Sequence, residues 1–250
     1  MLDGDVGDRP STSHQVEAAL GITAGSMIAV ALPALADAVA LFWLFPGLDL
    51  WASRLLYTGN HAFVGSHSNA LSVARDFFHA AFVLTCLMAA VGVIIASISR
   101  RGWLTLPFYK WLFLAICLSV GPGIVGAGLQ DHWGRARPND VVEFGGAKTF
   151  SSPIRPSDQC KTRCSFVSGD ASSIFIIFFA AALMFGTWAR TLIALGLSLG
   201  GAAGFVGMAQ GAAFLSDVVF AGVLMALTAA LTQLAFDSTR TASRSIRLSN

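Results

Sequence analysis

Three short stretches of this 250-residue chain carry residue types suited to holding a phosphate. The first runs Gln130-Asp131-His132-Trp133-Gly134-Arg135-Ala136-Arg137-Pro138. The second runs Cys164-Ser165-Phe166-Val167-Ser168-Gly169-Asp170. The third runs from Gly207 through Gln210, Gly211 and Ala213 to Ser216-Asp217. An arginine guanidinium can bond two phosphate oxygens at once. Free backbone N–H groups at a helix start favour an anion, and glycine lets the backbone come close. Arg137, Ser168 and Gly169 are therefore the candidate phosphate ligands, with Arg135 a weaker one. Each also has an ordinary reading. Arg137 alone reads as an arginine snorkelling to a membrane surface. Ser168-Gly169 alone reads as a helix cap or packing site, and Asp217 as an N-cap.

The elements that must position these residues are membrane helices. Apolar residues make up 55% of the chain and charged residues 12%, the latter about half the share of a soluble domain. That excludes a soluble enzyme, a disordered chain and a nucleic-acid binder. The net charge of +2 sets up no field for a polyanionic partner. A bilayer core takes about 20 mostly apolar helical residues. Six stretches qualify: Leu20–Phe45, Phe77–Ile98, Trp111–Leu129, Phe166–Ala189, Thr191–Ser216 and Val218–Phe236. The expected fold is an all-α integral membrane bundle of about six transmembrane helices over residues 20–237, with no second domain. A polar tail, 1–19, precedes it, and a tail with Arg240, Arg244 and Arg247 follows over 238–250. That last tail reads as disordered, or else as a basic membrane-facing helix. The first residues lack the basic start of a signal peptide, so the first span is expected to remain. The six tryptophans fall near span ends, as an interfacial belt would place them. Glycines at 200, 201, 204 and 207 suit close helix packing.

With six alternating spans, four span ends converge on the side of the 130–165 loop. Counting Lys and Arg gives eight on each side of the membrane. The loop causes the tie, because positive charge there opposes the usual inside bias. An anion-binding task accounts for this, and inverted topology is the alternative.

In order and spacing, the three stretches resemble the type 2 phosphatidic acid phosphatase superfamily. Its bacterial members act on lipid A, phosphatidylglycerophosphate or polyprenyl diphosphate. The family motifs are Lys-x6-Arg-Pro, Pro-Ser-Gly-His and Ser-Arg-x5-His-x3-Asp. Arg137-Pro138, Ser168-Gly169 and Asp217 match them. Five family positions differ. The lysine falls on Gln130, the proline on Val167 and the second-motif histidine on Asp170. The third-motif arginine falls on Gly207 and its histidine on Ala213.

The resemblance implies two-step nucleophilic catalysis. The third-motif histidine, oriented by the aspartate, attacks phosphorus, and the second-motif histidine protonates the leaving alkoxide. Cations and helix-start amides stabilise the transition state. Here no catalytic set is intact. Ala213 has no nucleophilic atom, Asp217 has no imidazole to orient, and Gln130 and Gly207 remove two cations. Losing a nucleophile lowers rates by orders of magnitude. Asp170 could donate a proton if burial raised its pKa, or repel phosphate if ionised.

The five histidines are His14, His61, His67, His79 and His132, with none beyond residue 132. His132 reads chiefly as an interfacial hydrogen-bonding residue beside Trp133, and secondarily as a replacement nucleophile. His61, His67 and His79 show no metal-ligand pattern, and no metal or cofactor is expected. Cys160 and Cys164 read as a disulfide that would pin the loop ahead of Ser168, with free thiols as the alternative. Asp37 lies deep in the first span and reads as a functional intramembrane acid, or as an interfacial residue beyond a break at Pro33.

The expectation is a lipid phosphatase-like protein of the bacterial inner membrane, catalytically inactive, with its motif loop on the periplasmic side. It would bind a membrane lipid through a phosphorylated headgroup or serve as a scaffold. The alternatives are an active phosphomonoesterase using nonstandard residues, and an accessory subunit with a membrane protein partner.

Overall fold

A computed structural model describes residues 22–99 and 106–249. The polar tail, Arg100, Arg101 and Trp103 lie outside the described residues. The helices are α1 (Ala24–Leu44), α2 (Gly47–Arg54), α3 (Asn69–Ile98), α4 (Phe108–Leu118), α5 (Ala127–Trp133), α6 (Gly169–Met184), α7 (Ala189–Ala209) and α8 (Leu215–Ser249). A small hairpin, β1 (Tyr57–Gly59) and β2 (Ala62–Phe63), separates α2 from α3. The result is an all-α membrane bundle. Five stretches are long and apolar enough to cross a bilayer: Ala24–Leu44, Asn69–Ile98, Phe108–Asp140, Gly186–Ala209 and Leu215–Thr239.

The expected span Phe166–Ala189 is shorter than its hydropathy suggests. Its helix, α6, has 16 residues, or about 24 Å at the α-helical rise. Ser168 starts it by accepting the Ala171 N–H on its hydroxyl. Nine of the 16 residues are buried, because α4, α7 and α8 surround this helix where lipid would otherwise lie.

The first span is continuous. Thr23 and Ser26 form a capping box at its start, and Pro33 sits inside the helix without ending it. Asp37 therefore lies within α1, exposed on its outer side, and the break expected as one alternative does not occur.

The second span starts early. Ser68 caps it through the Leu71 N–H, so α3 begins at Asn69 and not at Phe77. Arg75, which the sequence places before the span, lies inside the helix. It shares a face with His79, four residues on.

Between α4 and α5 the chain is π-helical over Ser119–Gly126. Pro122 has no N–H for the ladder, a cause of such irregularity. The last span does not stop at Phe236: the α8 backbone stays helical through Ser249, so the expected disordered tail is not seen.

Trp43, Trp51 and Trp188 are exposed, as the belt requires. Trp111 is not, because it packs against Gly92 in the core. Trp133 is half-buried, stacked on Phe166 at 5.0 Å. Hairpin residue Phe63 joins Val141, Phe144 and Phe214 in a second, smaller core under the loop.

Candidate functional site

The three polar stretches meet at one end of the bundle, tied by their backbones. Ser165 N–H donates to the Arg135 carbonyl at 2.9 Å, and Ser168 N–H to the Asp217 carbonyl at 3.1 Å. Asn139 N–H donates to the Gly211 carbonyl at 3.1 Å. Gly211 makes the α7–α8 turn with φ at 67°, where a Cβ would strike Asn139.

The two motif arginines after Gly134 have different surroundings. Gly134 ends α5 in the left-handed conformation, and a Cβ there would collide with the Ser157 carbonyl. Beyond it Arg135 turns inward and is fully buried. Its guanidinium donates to Asp49 Oδ2 at 2.7 Å, Asp217 Oδ1 at 2.6 Å and Ser216 Oγ at 2.8 Å. Its Nε donates to the Ser151 carbonyl at 2.9 Å. Ser216 N–H and hydroxyl both donate to Asp49, at 2.8 and 2.6 Å. Asp217 Oδ2 accepts the Phe214 N–H at 2.7 Å and the Ser165 hydroxyl. The Phe214 ring lies 4.3 Å from the guanidinium carbon. Arg135, a weaker phosphate candidate by sequence, is thus committed to two carboxylates and does not line the cavity. Asp49 had no signal in the sequence.

Beside this network lies a cavity of about 510 Å³. Arg137, Ser168 and Gly169, the three candidate phosphate ligands, all line it. So do Gln130, Asp170 and Ala213, three of the five positions where the family residues are missing. A Cβ on Gly207 would sit 3.7 Å from Asp170 Oδ2 and 3.9 Å from the Ala213 Cβ, so that position faces the same place. Val167 is fully buried and does not line the cavity. Positions aligned by spacing alone are therefore neighbours in space.

Three further side chains reach the cavity unforeseen: Arg75 and His79 from α3, and Arg163 from the loop. A signal for the first two was present, as a four-residue Arg–His spacing at the head of the second span. Arg75 Nε lies 3.0 Å from Asp170 Oδ2, and its Nη1 donates to Gln210 Oε1 at 3.1 Å. Asp170 is thus an ion-paired carboxylate. Gln130 Nε2 donates to the Val167 carbonyl at 2.7 Å. Arg137 Nε is buried with no hydrogen-bond partner among the described residues. Cys160 and Cys164 form a disulfide, and between them Arg163 takes a left-handed φ of 52°.

His132 does not enter the cavity; it is exposed, with Nδ1 2.8 Å from the Gly128 carbonyl. The cavity histidine is His79. Of the loop's other basic residues, Lys148 pairs with Asp140 at 2.9 Å and Arg155 lies over the Trp43 ring. Lys161 is exposed. Of the six, Arg137 and Arg163 carry the loop's charge to the cavity. Among the described residues no group of three His, Cys, Asp or Glu side chains is placed to hold a metal ion.

Chemically, the lining is of a kind suited to an anion. Three guanidinium groups and a helix start surround a polar space.

The family model described as PAP2 superfamily matches residues 108–240. A lipid A 4'-phosphatase of Francisella tularensis subsp. novicida is 35% identical over 191 residues, covering 74% of this chain and 84% of that protein. Lipid A 4'-phosphatases of Rhizobium leguminosarum and Rhizobium etli are 30% and 32% identical. Each of these two matches covers 54% of this chain, and 64% and 58% of the respective relatives. No solved structure matches this chain significantly.

Proposed function

Because this chain belongs to the PAP2 superfamily, we propose that its cavity holds the phosphate of a lipid A-type membrane lipid without hydrolysing it by the family's route. The observation that carries this reading is a pairing within one cavity. The buried Arg137 Nε lacks a partner among the described residues, while the wall at the nucleophile position is the methyl of Ala213. A buried unsatisfied guanidinium donor is costly unless a ligand supplies the acceptor. A methyl group cannot attack phosphorus. Asp217, which would orient a nucleophilic imidazole, is occupied by Arg135, Ser165 and the Phe214 N–H. Asp170, at the position of the general acid, is engaged with Arg75. In this reading the protein sits in a bacterial inner membrane with the cavity opening on the periplasmic side.

One observation favours a second reading. His79 lines the cavity, so an imidazole is present even though neither motif supplies one. A nucleophile offered from α3 would restore turnover on the same lipid phosphate.

The deciding experiment uses the full chain, purified in mild detergent, with lipid A, phosphatidic acid and polyprenyl diphosphate. Lipid binding and released phosphate are measured on the same samples. Binding without release above a protein-free control is the expected result. Sustained release overturns the inactive reading, and its loss in His79→Ala would assign the imidazole to the chemistry.

A further inference from the structure

We infer that Arg75 and Arg163 carry the phosphate binding that Gln130 and Gly207 do not supply, forming with Arg137 a clamp of three guanidinium groups. This rests on the phosphate-binding reading above and names the residues that make it work. Neither arginine lies in the three motif stretches. Arg75 arrives from α3 because the Ser68 cap starts that helix early. Arg163 arrives from the loop just before the second stretch, inside the small ring closed by Cys160 and Cys164.

Asp170 gains a purpose in this arrangement. A carboxylate in an anion site weakens binding unless it does something else. Here its Oδ2 lies 3.0 Å from Arg75 Nε in an ion pair, while Gln210 Oε1 accepts from Nη1 at 3.1 Å. An ion pair and a hydrogen bond together hold the guanidinium in place. Asp170 is thus a positioning residue for Arg75. The Arg75 side chain is 41% exposed and lines the cavity, so a ligand there can reach it. Arg163, exposed at the cavity, has no ion pair of its own among the described residues.

The charges also select. Three guanidinium groups against one carboxylate leave two positive charges in the cavity. A phosphate monoester has a second pKa of about 6 and is close to a dianion at neutral pH. A phosphodiester headgroup carries one charge and fewer free oxygens. The clamp therefore fits a terminal phosphate group, whether on a lipid or free in solution.

The test is calorimetry on the full chain in neutral detergent micelles, with inorganic phosphate as one probe and phosphatidic acid as the other. Phosphatidylglycerol serves as the diester control. Arg75→Ala and Arg163→Ala are each expected to weaken phosphate binding about tenfold or more. Arg75→Lys should recover part of the loss, because it keeps the charge but not the fork. Phosphatidic acid binding more tightly than inorganic phosphate points to a lipid source, and equal affinities point to free phosphate. Either way, phosphatidylglycerol should bind at least about tenfold more weakly than phosphatidic acid.

Arg163 lies on an exposed loop segment, so Arg163→Ala keeps the test readable even if a change at Arg75 disturbs folding. If the wild-type chain binds neither probe, the phosphate-binding reading fails and the clamp with it. If wild type binds, Arg137→Ala abolishes binding, and Arg75→Ala and Arg163→Ala leave it unchanged, the clamp is wrong and the broader reading stands.

Discussion

Two groups of arginine and aspartate lie back to back at the loop end of the bundle. Around Arg135, two carboxylates, a hydroxyl and a carbonyl meet the guanidinium, and both carboxylates are buried. Around Arg137, among the described residues, the Nε donor is buried without a partner, and Arg75 and Arg163 stand nearby with a single carboxylate, Asp170, in the same cavity. Ser165 belongs to both: it lines the cavity while its hydroxyl serves Asp217. Residue type does not separate the two groups; completeness does. A closed set of polar partners holds structure together, and an open set holds a place for something else.

Opening the closed side should have the largest effect. Arg135→Met leaves Asp49 and Asp217 buried without a counter-charge, and breaking such a pair costs about 3–5 kcal/mol. The thermal midpoint in detergent should fall by about 6–20 °C. A variant that unfolds at the wild-type temperature would show that the network holds nothing. A smaller effect is expected where the open side borrows from the helix. Ser168→Ala removes the α6 cap, worth about 1 kcal/mol, and leaves the cavity arginines in place. Its midpoint should drop by a few degrees with phosphate affinity changed less than in Arg163→Ala; a loss larger than that would make the Ser168 hydroxyl itself a ligand. The smallest effect belongs to His132, outside both groups. His132→Ala should stay within about 0.5 kcal/mol of wild type and bind phosphate equally well. Altered phosphate binding would put His132 back among the candidates.

The spans were legible because a run of about 20 apolar residues is unfavourable in water and matches the thickness of a bilayer core. The length of α6 was not, since hydropathy cannot tell a helix wrapped in protein from one wrapped in lipid. Gln130, Arg137, Ser168, Asp170 and Ala213, aligned by spacing, line one cavity. Spacing could not separate Arg135 from Arg137, because the partners that bury Arg135 come from distant parts of the chain. Arg75 and His79 were hidden by reading charge as the edge of a span, when a serine cap set the edge further back. Asp49 was hidden for a different reason: its partner Arg135 lies 86 residues away, and nothing local announces the pair.

The Arg135 network also imposes an order on how the protein is made. Its members come from α2, the loop and the start of α8, so the chain delivers them at widely separated times during synthesis. Asp49 emerges first and Asp217 last. While the ribosome is still producing α7, Arg135 has at most one of its two carboxylates, and Ser165 has no acceptor in Asp217. The wall behind the cavity is complete only once the start of α8 has been made. A copy that stops before Asp217 lacks the partner that closes the network.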